Sequence, residues 1–228
     1  MKTVFITGAD RGIGLALCGK FAREGWHVLA GQYMPQWKEL DQLLQQYRGQ
    51  ITCIPLDIGD NDSVKYAAAK AAACFTTMDM LINCAGIAKE DTLEGLYNTL
   101  NVNAFGVLRM TEAFLPLMEN GQKRLCFFSS EAGSITMLHR NSGSTYCVSK
   151  TVMNMTIRLM FNQLQKQGYI FRVYHPGWVK SYMSGEKSTV GVYEPEETVD
   201  PAYDQFVSQR SWEDVLVMTD IKNELWPF

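Results

Sequence analysis

"KTVFITGADRGIGLALCGKFAREG" (residues 2–25) is the stretch whose reading decides the fold. Residues 2–8 form a short apolar run closed by glycine, the pattern of a buried strand. Residues 12–25 carry apolar side chains at helical spacing and end on glycine, the pattern of a helix. "TGADRGIG" (7–14) joins the two. Glycines in such a loop let the backbone approach a ligand, and a helix N-terminus offers free N–H groups to an anion. The spacing of Gly8, Gly12 and Gly14 departs from the common Gly-x-Gly-x-x-Gly fingerprint, so the loop's position carries the reading more than its spacing does. A tight turn without a ligand is the plain alternative. A place after the first strand of a parallel α/β chain favours phosphate binding.

The alternation continues outward. Short apolar runs at 27–32, 51–57, 79–86, 123–130, 169–177 and 214–220 read as strands. Longer amphipathic runs at 36–48, 60–75, 93–119 and 144–167 read as helices. Pro116 is expected to kink or shorten the third of these, and Ser142 or Ser144 to cap the fourth. Strands that are apolar throughout and alternate with helices predict a doubly wound α/β fold. Its parallel sheet has about seven strands, covered by helices on both faces. One domain over 1–228 is expected. The stretch 178–213 is the poorly patterned region, a candidate substrate loop or lid.

Composition narrows the function. Hydrophobic residues make up 46% of 228 and charged residues 20%, with a net charge of −3, which describes a globular chain. There is no long basic stripe, so nucleic acid is not an expected partner. No apolar run approaches the roughly 20 residues of a membrane span. The N-terminus lacks a signal-peptide pattern, so a cytoplasmic location is expected. Cys18, Cys53, Cys74, Cys84, Cys126 and Cys147 form no Cys-x-x-Cys pair and read as free thiols. His27, His139 and His175 lack ligand spacing, so no metal site is expected.

"STYCVSK" (144–150) places Tyr146 and Lys150 one helical turn apart on one face. An ammonium beside a phenol favours the phenolate, which would make Tyr146 a proton donor and acceptor near neutral pH. A Tyr-x-x-x-Lys pair alone is weak, because it arises readily by chance.

Context strengthens it. "TGADRGIG", "NCAG" (83–86), "NVNAFG" (101–106), "SSEAG" (129–133), "YCVSK" (146–150) and "HPGWVKS" (175–181) occur in the order of the short-chain dehydrogenase/reductase motifs. Over residues 1 to about 183 the chain resembles that family, and "TDIKNELWP" (219–227) resembles the end of its single-domain members. The resemblance implies a single Rossmann domain, NAD(H) or NADP(H), and hydride transfer at a carbonyl or alcohol carbon. It implies Tyr146 as general acid and base, Lys150 on the nicotinamide ribose and Ser130 on the substrate oxygen. Asn103 would anchor a proton-relay water. It further implies cofactor contacts from Gly8, Arg11, Gly12, Ile13 and Gly14, and from Asp57 and Ile58 at the adenine. Asn83, Ala85 and Gly86 would lie near the adenosine-side ribose and phosphates. Pro176 and Gly177 would pass the nicotinamide, and Val179 and Ser181 would touch its carboxamide and the diphosphate. Ser181 stands where the family often has threonine. The segment between Ser130 and Tyr146 is longer than the family norm, leaving Ser129 and Ser134 as alternatives to Ser130.

Several expectations follow. Strand 27–32 leads into "GQY" (31–33) without the carboxylate that NAD-selective sites place there, and Arg11 lies in the glycine loop, so NADP(H) is expected over NAD(H). Tyr33 stands where NADP-selective relatives often carry arginine. The apolar breadth of 93–119 and 144–167 suggests a homodimer or homotetramer. The expected substrate is a small carbonyl or alcohol. A redox-sensing protein without turnover would need no Ser, Tyr, Lys and Asn set, and a same-fold epimerase or dehydratase usually carries a larger substrate domain.

Overall fold

Strand β1 (Thr3–Thr7) shows why the sheet forms where it does: all five residues are buried, with alternate side chains entering opposite cores. The remaining strands are β2 (His27–Gln32), β3 (Ile51–Pro55), β4 (Met80–Asn83), β5 (Arg124–Phe128), β6 (Ile170–His175), β7 (Met218–Asp220) and β8 (Leu225–Trp226). Helices α1 (Gly12–Arg23), α2 (Glu39–Gln46), α3 (Asn61–Cys74), α4 (Leu93–Leu100), α5 (Val107–Met118), α6 (Ser144–Leu164) and α7 (Val199–Val207) alternate with them. This computed structural model describes residues 1–183 and 185–228.

The strands form one sheet in the order β3-β2-β1-β4-β5-β6-β7-β8. All neighbours pair in parallel except β7 and β8. The expected seven parallel strands are present, with a short antiparallel eighth at the edge. On one face Phe5, Leu81 and Phe127 pack with Met110 and Phe114 of α5 and Ile157 of α6. On the other, Val4, Ile6 and Ile82 pack with Leu17 and Phe21 of α1 and Phe206 of α7. The order reverses between β1 and β4, where doubly wound sheets open a crevice at their carboxyl ends.

Five local expectations change. Residues 93–118 stay helical past Pro116, and the irregularity is a π-helical segment at Asn101–Gly106. Pro116 lies in the last turn and removes one backbone bond there, but the helix runs on to Met118. The cap of α6 is neither Ser142 nor Ser144. Gly143 occupies the cap position at φ +75°, and Asp91 accepts from Gly143 N at 2.8 Å and Thr145 N at 3.1 Å. Those two backbone bonds hold the Asp91 carboxyl below its usual range. Helix α2 is shorter than expected, beginning at Glu39 rather than near 36, and β7 begins at Met218. The stretch 178–213 divides: residues 199–207 form α7, whose Ala202 and Phe206 are fully buried, leaving 178–183, 185–194 and 208–213 as the irregular parts. No helix of the described residues is long and apolar enough to cross a membrane.

Candidate active site

The ends of β1, β4, β5 and β6 meet along one edge of the sheet. After β1, Gly8 takes φ +67°, and a Cβ there would lie 2.9 Å from Ala85 Cα. A Cβ on Gly14 would lie 2.0 Å from the Gly8 carbonyl oxygen. The loop therefore folds back onto itself and onto the turn after β4. Thr7 Oγ1 fixes that turn by accepting from Cys84 N and Ala85 N, each at 3.0 Å. Helix α1 has no side-chain cap and no acid in its first turn, so its N–H groups remain open to an anion. Asn83 is buried nearby, and neither its amide nitrogen nor its oxygen has a partner. A glycine cradle, an uncapped helix and an orphaned amide fit a phosphate-bearing ligand laid across the edge.

Arg11 leaves this loop toward the end of β2. Its guanidinium lies 4.6 Å from the Trp37 ring centroid and donates to Met34 Sδ at 2.7 Å and Tyr182 O at 3.2 Å. The Tyr182 ring lies against Gly12, 3.4 Å from where a Cβ would stand. Asp10, buried beside them, accepts from Tyr33 N and Met34 N at 2.8 and 2.9 Å. Asp57 and Ile58 are engaged in structure. Asp57 accepts from Gly59 N at 2.7 Å, and the buried Ile58 side chain packs on Gly106. Pro176 and Gly177 follow β6, with Gly177 under the Tyr193 ring. Val179 pairs with Tyr193, and the Ser181 carbonyl accepts from Ser188 N at 2.8 Å.

The four residues expected to be catalytic are brought to one place. The π-helical segment aims Asn103 across to the turn after β4: its Oδ1 accepts from Ile87 N and its Nδ2 donates to Ile87 O, both at 2.8 Å. The same Nδ2 donates to Ser149 Oγ at 3.0 Å, which ties the segment to α6. Lys150 Nζ stands 5.7 Å from the Tyr146 ring centroid and donates to Phe128 O at 2.7 Å. Of the three serines, Ser129 donates to Asn154 Oδ1 at 2.6 Å, and Ser134 accepts from Met137 N at 3.3 Å. Ser130 is the one whose hydroxyl bears on the Tyr146 phenol.

Sequence reading missed the charges around them. Ser130 Oγ donates to Glu131 Oε2 at 2.5 Å, and Arg140 pairs with the other Glu131 oxygen. Buried His175 has its Nδ1 3.8 Å from Glu131 Oε2, without a hydrogen-bond partner. Glu131 follows Ser130 directly in "SSEAG", and Arg140 sits in the long segment before Tyr146, so both signals were present.

These surroundings correct the expected titration. Burial pushes Tyr146 up to about 12, and the Glu131 charge adds to it, while the Ser130 hydroxyl pulls the other way. Burial brings Lys150 down to about 8. The ammonium turns to the Phe128 carbonyl, so it does not make Tyr146 acidic. His175 is lowered by burial, against the pull of Glu131. Among the described residues no cluster of His, Cys, Asp or Glu stands ready for a metal ion, and all six cysteines are free.

Comparison with known proteins gives these residues a family setting. A family model described as short chain dehydrogenase matches residues 2–190. An uncharacterized oxidoreductase of Schizosaccharomyces pombe is 30% identical over 188 residues, which cover 79% of this chain and 74% of that protein. A crystal structure of NADPH-bound carbonyl reductase from chicken fatty liver shares the fold with a TM-score of 0.87. It is 24% identical, and the match covers 100% of this chain and 99% of that one. The carbonyl reductase Sniffer of D. melanogaster shares it with a TM-score of 0.84 at 23% identity, with full coverage of both chains.

A phenol raised above its ordinary value of 10.0 stays protonated through neutral and mildly alkaline pH. Ultraviolet titration of the ligand-free protein, read as wild type minus Tyr146→Phe, should show no phenolate from this residue below about pH 10. A difference signal titrating near neutrality would contradict it.

Proposed function

Since the chain belongs to the short-chain dehydrogenase family and is an oxidoreductase of that kind, we propose that it reduces a carbonyl or oxidises an alcohol, with Tyr146 holding and moving the proton. The observation that carries this reading is the convergence of Ser130, Tyr146, Lys150 and Asn103 beside the glycine cradle. A nicotinamide dinucleotide, bound along the cradle, would supply or accept the hydride.

This chain's residues do the rest. Gly8, Gly12, Ile13 and Gly14 open the backbone of the first loop to the diphosphate, and Asn83, Ala85 and Gly86 line the far side of the crevice. Pro176, Gly177, Val179 and Ser181 form the wall after β6. Asp57 and Ile58 shape the adenine end through the turn they build. In reduction Tyr146 gives its phenolic proton to the substrate oxygen, and Ser130 donates a hydrogen bond to the same atom. Lys150 holds the nicotinamide ribose, while Asn103 fixes the segment that leads from the turn after β4 to α6. The segment 178–183 borders the site, with Tyr182 resting on Arg11 and Gly12.

NADP(H) is the preferred cofactor in this reading. No carboxylate ends β2, and the Asp10 carboxylate is occupied by two backbone N–H groups. Arg11 stands beside the loop after β2, where its guanidinium would meet a 2′-phosphate. The chicken carbonyl reductase, solved with NADPH, is consistent with this. A second copy of the chain is the proposed partner. Leu93 and Tyr97 of α4 and Met155 and Leu159 of α6 leave an apolar surface exposed across two packed helices.

Tyr146→Phe should lower turnover by ~10²–10⁴-fold on a carbonyl substrate while cofactor affinity stays near wild type; wild-type turnover in the variant rejects the role. NADPH should bind more tightly than NADH, and Arg11→Ala should remove roughly tenfold of that difference, read by fluorescence titration. Equal affinities reject the preference, and an unchanged ratio in Arg11→Ala rejects its cause. Light scattering at micromolar concentration should give at least twice the 25.8 kDa of one chain; a single-chain mass rejects the assembly.

A further inference from the structure

Ser130 has one proton, and it is already in use. Its hydroxyl donates to Glu131 Oε2 at 2.5 Å and accepts from Ala132 N at 3.1 Å. Arg140 grips the other carboxylate oxygen, so the carboxylate is held beside Ser130. Burial works against the charge on Glu131, but the bonds from Ser130 and Arg140 outweigh it and the carboxyl is lowered, so it accepts and does not donate. His175 Nδ1 stands 3.8 Å from Glu131 Oε2, beyond hydrogen-bond reach.

A substrate carbonyl entering this site meets a shortage of protons. If Ser130 turns to the carbonyl oxygen, Glu131 Oε2 loses its partner inside a largely buried site. If Ser130 stays, the developing oxyanion has Tyr146 alone and faces a carboxylate. A plain ketone brings lone pairs and no donor. A hydroxyl on the neighbouring carbon lies within reach of the carbonyl oxygen and brings the missing proton.

Resting on the reductase reading above, we propose that Glu131 is a specificity-determining residue, selecting carbonyl substrates with a hydroxyl on the adjacent carbon. The substrate hydroxyl takes the place of Ser130 on Glu131 Oε2 and releases Ser130 to the carbonyl oxygen. The carbonyl carbon then accepts hydride from the reduced dinucleotide, which is oxidised. The π pair goes to oxygen, and that oxygen takes the Tyr146 proton. The product is a vicinal diol, and the phenolate regains its proton from solvent.

The test compares 2-hydroxyacetophenone with 2-methoxyacetophenone, and hydroxyacetone with methoxyacetone, using NADPH. The methyl ether keeps the neighbouring oxygen and its inductive pull and puts a methyl group in place of the donated hydrogen, and the two pairs, which differ in size elsewhere, share that change. Wild type should favour each hydroxy compound by about tenfold or more in kcat/KM, the discrimination expected when a buried acceptor is left unmet. Glu131→Leu should bring each pair within about threefold, chiefly by a gain on the methoxy compound, which misfolding cannot produce. Glu131→Gln, which keeps the shape and loses the charge, should fall between, and it decides the matter with the wild-type ratio if the leucine variant does not fold. Equal wild-type rates, or a preference that survives both variants, overturn the proposal. Turnover of other carbonyl compounds but of neither pair overturns it and leaves the reductase reading standing. No turnover of any carbonyl overturns both.

Discussion

A parallel sheet covered on both faces leaves only its ends for polar side chains. The two ends here are used differently. At the amino ends, Arg124 and Arg172 are buried and gather the carbonyls that close α7. Arg124 binds Phe206 O and Ser208 O, and Arg172 binds Gln205 O, Ser208 O and the Glu213 carboxylate. These bonds serve the fold. At the carboxyl ends, Asn83 and His175 are buried with polar atoms unpartnered, and the first turn of α1 is uncapped. Leaving such groups unmet costs about 1–3 kcal/mol each. Arg124 Nε is also left without a partner, but only at the carboxyl ends do the unmet groups coincide with a glycine cradle and an open helix terminus, and that coincidence marks where a ligand belongs.

The position of Tyr146 follows from three polar ties across long sequence separations. Asp91 caps the start of α6, Asn103 bridges Ile87 to Ser149, and Asn154 holds Ser129 and the Gly133 carbonyl. Each tie joins α6 to a different neighbour: the loop before α4, the π-helical segment, and the turn after β5. A regular α-helix through residues 101–106 would rotate Asn103 away from this arrangement, because one extra residue in a turn shifts every later side chain around the axis. The π-helical segment is therefore part of the site.

Much of this was legible in the residues. Apolar strands alternating with helices gave the sheet, and the ordered motifs gave the family and the cluster of Ser130, Tyr146, Lys150 and Asn103. The failures have physical causes. Helix α7 was hidden by Pro201 and the acidic residues before it, although Val199, Ala202 and Phe206 have helical spacing. The cap of α6 came from Asp91, about fifty residues away, which no local pattern announces. The π-helical segment has no compositional mark. The titration of Tyr146 was misread because a helix face fixes which residues are near, not where a flexible ammonium turns. Lys150 reaches a backbone carbonyl instead, and the charge bearing on the phenol comes from Glu131.

That exchange sets how the proposed chemistry is balanced. A phenol pushed up to about 12 and an ammonium brought down to about 8 both report burial that disfavours charge on these two side chains. In reduction Tyr146 is needed as an acid, and at neutral pH it already holds the proton. In oxidation it is needed as a base, and reaching the phenolate costs about 1.4 kcal/mol for each pH unit below its pKa. The difference diminishes when positive charge enters the crevice, as the oxidised nicotinamide ring does. In the proposed chemistry the protonated phenol would favour donation, and its readiness to accept a proton would depend on the redox form of a bound dinucleotide. Glu131 strengthens this asymmetry by raising the phenol, and Arg140 limits it by neutralising part of the carboxylate's field.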